Sequence, residues 1–278
     1  MGEDCLNYDE HRDILNSLVS DDDIHFNITA TKLLFEHALG TTPGKTAIYS
    51  NEDIMASRVP TLCAQRLHKL LPDAKILVII RNQLTAIPSW YVNHGAYLKL
   101  VPRRYWKRYV SFNDWMAYCT EFIKYSPLDS FFFHRILKLY ASLFGIERIN
   151  ILLYEDFVSD SQRFIRRLSD ILNIDPHEAM ERLSGKRERK RNSMRMHKYH
   201  KFRSGFFYNK SISQYLPFGK TAKQMLITYL ENGKPASDFM SDYWRSALHD
   251  LYEEDNKNLA AEFKLPLKEY GYPMPFSK

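Results

Sequence analysis

Arg81 closes the apolar run Ile76-Leu77-Val78-Ile79-Ile80, and Ser89 follows eight residues later. A guanidinium grips a phosphate through paired N–H bonds, and a serine hydroxyl with the amides of a helix start adds further donors to the same anion. The spacing therefore suits a phosphate-binding element. An arginine ending a buried strand also suits an ion pair with a nearby acid, and position alone leaves both roles open. Tyr154-Glu155-Asp156 sets two acids at another strand end, where a general acid/base couple is conceivable. The reading preferred here is structural, with Asp156 and Ser159 serving backbone amides of the turn and of the next helix. His94 lies on the helical pattern of Ser89 beside Tyr91 and Tyr97 and reads as a packed or surface residue. His197 and His200 have no Cys or acid at metal-ligand spacing, so no metal is expected.

Three apolar runs are predicted to be the strands that position these groups: Lys45 to Ser50, Ala74 to Ile80 and Ile149 to Tyr154. Five consecutive β-prone residues without polar alternation indicate a strand buried on both faces, as in a parallel sheet covered by helices. Ligands in such sheets bind beyond the carboxyl ends of the strands, where Arg81 falls. Helical patterns are read at Ile54 to Leu71, from Ser89 onward, at Ser111 to Trp115 as a helix start, and at Phe131 to Phe144. Ser159-Asp160 predicts the N-cap of a helix that carries Phe164, Ile165, Leu168, Ile171 and Leu172 on one face and ends near Asn173. Phe218 to Glu231 and Asp242 to Phe263 are helical patterns with no strand between them. Alternating strands and helices followed by helices alone predict an α/β fold, one parallel sheet flanked by helices.

The 278 residues, 45% of them hydrophobic, suffice for one large domain, and residues 1–278 are read as one. The net charge of +6 is concentrated: Arg182 to Arg203 holds ten Lys or Arg and the single acid Glu188, which leaves −3 for everything else. Cys5, Cys63 and Cys119 are odd in number and scattered, which suits reduced thiols better than a disulfide framework. The start of the chain is acidic and lacks an apolar leader core, and no run approaches the ~18 apolar residues of a membrane span. A cytoplasmic protein with no membrane partner is expected.

The strand ending in Arg81-Asn82, with Ser89 eight residues on, resembles the 3′-phosphate-binding element of sulfotransferases that use 3′-phosphoadenosine-5′-phosphosulfate (PAPS). Ile149 to Ile174 resembles that family's strand, Tyr-Glu-Asp turn and following helix, and Leu251 to Pro273 is similar to the tail of its bacterial-type members. With Lys45 to Asp53 these segments run from about residue 45 to the end of the chain. The resemblance implies a P-loop NTPase-like fold, PAPS as donor, no metal, and in-line sulfuryl transfer to a hydroxyl or amine without a covalent enzyme intermediate. The acceptor would be a carbohydrate, a small molecule or a protein. Trp90, Tyr91, Trp106, Tyr109 and Trp115 either line its site or belong to the core.

The resemblance also implies further site residues. Cytosolic members carry a catalytic His after the strand corresponding to Lys45 to Ser50, and others use a Glu; here Ser50-Asn51-Glu52-Asp53 makes Glu52 the candidate base. Glu52 and Asp53 equally suit the positive start of the next helix. The basic segment, residues 182–210, often returns to the nucleotide in this family, with Arg189, Arg191, Asn192 and Ser193 as the nearest matches to additional 3′-phosphate contacts. The alternative, binding of nucleic acid through phosphate neutralisation with Tyr199 and Phe202 stacking, is kept as a rival and not expected. A solvated loop is the third reading.

One family element is not found: residues 1–44 contain no apolar strand followed by a Lys-Ser-Gly-Thr-Thr-like loop for the 5′-phosphosulfate. Gly40-Thr41-Thr42-Pro43-Gly44-Lys45-Thr46 imitates a Walker A loop, but it has three residues between its glycines and precedes a strand instead of following one. It reads as a turn, which argues against a P-loop kinase. A truncated enzyme, a degenerate binding module and a divergent enzyme with a replacement loop all remain open, and an incomplete sheet is expected.

Overall fold

The computed structural model describes residues 8–19, 23–39, 46–95, 109–183, 193–206, 220–232 and 240–276. In chain order its elements are α1 (Tyr8–Val19), α2 (Ile28–Leu39), α3 (Pro60–Leu70), β1 (Ile76–Ile80), α4 (Gln83–Trp90), α5 (Phe112–Glu121), α6 (Phe133–Phe144), β2 (Ile149–Leu153), α7 (Tyr154–Ser159), α8 (Ser161–Leu172), α9 (Pro176–Leu183), α10 (Met194–Phe206), α11 (Lys220–Glu231) and α12 (Asp242–Phe263). The strands pair in parallel with Ile76 opposite Ile149 and Ile80 opposite Leu153, so this is a helix-rich α/β protein with a parallel sheet. The backbone forms two compact units. The first comprises Met1–Arg81, Asp129–Ser184 and Asp255–Tyr270, and the second Asn82–Leu128, Gly185–Glu254 and Gly271–Lys278.

The first unit holds the sheet. Ile149, Ile151, Leu152 and Leu153 of β2 are buried, packed by α6, α7 and α8. β1 departs from the expectation of burial on both faces. Ile80 is buried, but its neighbour Ile79 is 52% exposed, and Ile76, Leu77 and Val78 are only half-buried. Residues 46–50 are not a strand, contrary to the sequence reading. Ile48 is 55% exposed, and no burial supports the β-propensity of this run. The Thr46 hydroxyl instead donates to the Leu172 carbonyl at 2.9 Å, at the end of α8. The helix expected over Ile54 to Leu71 is confined to α3, which starts with Pro60 in its first turn, where a missing amide costs nothing.

The caps fall where the sequence places them. Asp160 Oδ1 accepts from the Arg163 amide at 2.9 Å to start α8, which ends on Asn173 in the left-handed region, φ 53°. Ser111 caps α5 by accepting from the Asp114 amide at 3.1 Å. α6 ends on Gly145, whose φ of 90° is strained for any residue with a Cβ. No side chain of α6's own N-cap residue serves it. Asp255 of α12 does so, accepting from the amides of His134 at 2.9 Å and Arg135 at 3.2 Å. Burial pushes the Asp255 carboxyl up from its ordinary range, and these two amides pull against that. His134 Nε2 adds a 2.7 Å contact to Glu262 Oε2.

The Arg66 side chain of α3 holds the end of α1 and the turn that follows it. Arg66 is 1% exposed and donates to the carbonyls of Ser17 at 3.2 Å and Leu18 at 3.4 Å, two of the unpaired acceptors at the end of α1. It also donates to Asp23 at 2.7 Å and lies 4.6 Å from the Phe26 ring centroid. In the second unit, Tyr252 donates to the Leu128 carbonyl at 2.8 Å, and the Trp244 indole donates to Asn113 at 3.0 Å.

Arg66→Ala strips the α1 carbonyls of their buried donor and leaves a void, so urea unfolding should show a loss of about 2–4 kcal/mol. Asp23→Ala should cost much less, because Asp23 is 75% exposed and water replaces its partner. The described thiols are buried, and desolvation raises Cys63 to about 11 and Cys119 to about 12. Raised pKa values leave little thiolate at pH 8, so iodoacetamide should spare both in the folded protein and modify both in urea, as read by mass spectrometry.

Candidate functional site

The parallel register brings the carboxyl ends of the strands together. Ile80 lies opposite Leu153, so the next residues, Arg81 and Tyr154, leave the sheet side by side. The Arg81 guanidinium carbon sits 4.8 Å from the centroid of the Tyr154 ring. A guanidinium over an aromatic ring is a cation–π contact, which helps to hold the side chain in place. Arg81 is half-buried and Tyr154 is 37% exposed. Sequence reasoning did not single out Tyr154 for this role. Its position directly after a strand parallel to β1 was the available signal.

Next to this pair, Asp156 takes a partner other than the expected turn amides. Tyr270 donates its hydroxyl to Asp156 Oδ1, and this bond raises the Tyr270 pKa above the ordinary tyrosine value. Ser159 donates to the Asp156 carbonyl at 3.3 Å, so its hydroxyl closes α7 while Asp160 caps α8. Asp156 thus holds the segment after α12 against α7, a scaffold role for this acid.

Glu52 is exposed in a three-residue 3-10 turn, Glu52–Ile54, whose N-cap Asn51 accepts from the Asp53 amide at 2.7 Å. Since residues 46–50 form no strand, Glu52 does not stand at a strand end. It occupies the first turn of a short helix, where an acid also favours the dipole. Burial pushes the nearby Tyr49 hydroxyl up to about 12, against Phe35 at 5.2 Å between ring centroids.

In the second unit, Ser89 is half-buried in α4. The expectation that it begins a helix is corrected. Asn82 begins it, accepting from the Leu84 amide at 2.9 Å, and Ser89 lies in the last turn, so its amide is not among those presented at the helix start. Pro88 precedes it and lacks the N–H of a normal turn. The helix then widens into a π turn, Tyr91–Gly95, and the Tyr91 amide reaches both the Ile87 and Pro88 carbonyls. Tyr91 and Trp115 are core residues, 0% and 2% exposed, while Trp90 and Tyr109 are half-buried and Trp106 lies outside the described residues. Trp90 stacks on Trp115 at 5.7 Å and on the exposed His94 at 5.0 Å.

Arg189, Arg191 and Asn192 lie outside the described residues, as does Gly40 to Lys45. Ser193 is 1% exposed at the start of α10. Its hydroxyl donates to the Leu230 carbonyl and accepts from the Met196 amide at 3.0 Å, so it caps α10 and ties it to α11. His197 is buried, with Nε2 3.0 Å from the Tyr109 hydroxyl. On α12, His249 Nδ1 lies 3.4 Å from Glu253 Oε2 and 3.7 Å from Asp250 Oδ1. No helix among the described residues is long and apolar enough to cross a membrane.

Comparison with known proteins places these elements in a family. No curated protein sequence matches the chain. A solved structure, the sulfotransferase of Alicyclobacillus acidocaldarius, is similar at 18% identity with a TM-score of 0.49, covering 90% of this chain and 74% of that one. Residues 49–225 match the sulfotransferase domain, a span that includes both strands, Arg81 and Ser89. With well over half of its length matched in this way, the chain belongs to the sulfotransferase family.

Proposed function

We propose that the protein transfers a sulfuryl group from PAPS to a hydroxyl or amine acceptor. The observation that carries this reading is Arg81 at the carboxyl end of the parallel pair, stacked on Tyr154, within a chain of the sulfotransferase family. A planar cation with five N–H donors fits a dianionic phosphate. Arg81 and Ser89 hold the 3′-phosphate of the donor in this reading. Arg189, Arg191 and Asn192 complete that set in this reading. Bound PAPS supplies an activated sulfuryl group on a phosphate leaving group. Glu52 takes the proton from the acceptor, and its exposed position leaves the carboxylate open to an acceptor arriving from solvent.

Titration with 3′-phosphoadenosine-5′-phosphate should raise Tm while ATP does not, because ATP lacks the 3′-phosphate that Arg81 reads. Arg81→Ala should weaken that ligand about 10- to 100-fold, the value of a charge-assisted pair. Equal stabilisation by both nucleotides would sink the donor assignment. Glu52→Gln should lower kcat for sulfate transfer from labelled PAPS at least 100-fold while leaving nucleotide binding intact. Near-normal turnover in that variant removes Glu52 from the mechanism.

A further inference from the structure

α12 gathers a histidine and two acids that the sulfuryl-transfer reading does not use. His249 and Glu253 are one helical turn apart and therefore share a face, and Asp250 follows His249 directly. His249 Nδ1 lies 3.4 Å from Glu253 Oε2 and 3.7 Å from Asp250 Oδ1, and the three ligand atoms fall within 4.8 Å of one another. Nδ1 is buried, yet it has no hydrogen-bond partner. Glu253 is near enough to bond it but lies off the line that an N–H···O bond requires, and Asp250 is too far. The ring is also held in place, because Phe276 stacks on it with centroids 4.8 Å and planes 16° apart. We infer that His249, Asp250 and Glu253 bind a first-row divalent cation of the Zn²⁺ class.

The spacing is that of ligands around an ion. Metal bonds of about 2.0 Å in a tetrahedral site separate ligand atoms by about 3.3 Å, wider than a hydrogen bond of about 2.9 Å. Glu253 meets that spacing as it stands, and Asp250, 72% exposed, needs only a small rotation. An imidazolium paired with the two acids would instead leave its buried Nδ1–H unbonded, a cost that a metal at the same place removes. The donor set selects the ion. Calcium and magnesium take oxygen ligands, whereas one imidazole nitrogen with two carboxylates suits Zn²⁺, whose charge the two acids neutralise. Three protein ligands leave the fourth position to water. The surroundings favour a cation as well: Ser246 to Asn256 holds four acids and no Lys or Arg in a chain of net charge +6. No metal was expected from the spacing around His197 and His200, and His249 lies on a different helix from both.

The test uses the full chain, stripped with a chelator and titrated calorimetrically with zinc chloride or magnesium chloride. Zn²⁺ should bind one per chain and raise Tm, and Mg²⁺ should do neither. Co²⁺ in the same site should give the visible absorption of a tetrahedral complex. Glu253→Gln keeps the side chain's shape and removes its charge, and it should weaken Zn²⁺ at least tenfold. His249→Phe preserves a ring against Phe276 but has no nitrogen, so it should lose the Co²⁺ spectrum. Tm of both variants without metal reports that they fold. Absence of Zn²⁺ binding, an equal response to Mg²⁺, or Zn²⁺ affinity and Co²⁺ spectrum unchanged in the two variants would each overturn the inference.

Discussion

A five-residue parallel ladder sets the geometry of the first unit. Ile76 to Ile80 and Ile149 to Leu153 pair without a slip, and a shift of one residue would turn every side chain of one strand to the opposite face. Two strands alone are marginal in water, so the ladder depends on the helices that bury β2. Burial in turn requires that backbone groups find partners. The outward carbonyl of Ile151 finds one in the Arg167 guanidinium, at 3.3 Å. Because the register holds, Arg81 and Tyr154 emerge together, and an arginine that could have been a solvent-facing cation becomes an oriented one.

Polar side chains that reach across long stretches of sequence do much of the remaining assembly. Arg66 gathers the end of α1 and the turn after it onto α3, Asp255 caps α6, and Tyr270 binds Asp156. Each satisfies a backbone group or a carboxylate that would otherwise lose solvent on folding without compensation. The same economy is visible at Ser193, whose hydroxyl caps one helix and tethers it to another. These residues act on position. Their contribution to function is to fix where α7 and α10 stand.

Positive charge sits in two kinds of environment. Arg81 is partly buried and stacked, which suits one phosphate in one orientation. The cations of α10 are exposed, and water and salt screen them strongly.

Much of this was legible in the sequence where the signal is local. β2, α8 with its Asp160 and Asn173 caps, the Ser111 start of α5 and the span of α12 all follow from short-range patterns of apolar spacing and capping chemistry. So did the family, because Arg81, Ser89 and the Tyr154-Glu155-Asp156 turn keep their order and separation. Burial and partnership could not be read this way. The runs at residues 46–50 and 76–80 both read as strands, yet among the described residues only the second pairs with β2, because a strand is completed only by residues distant in the chain. Ser89 ended a helix where its spacing suggested a beginning, since Asn82 had already supplied the cap. The sequence by itself determined which groups could bind an anion and which segments could be helical. The tertiary structure alone decided that Arg81 lies over the Tyr154 ring and that Asp156 answers to Tyr270, because each contact joins segments far apart in the chain, the first through the register of two strands separated by α4, α5 and α6.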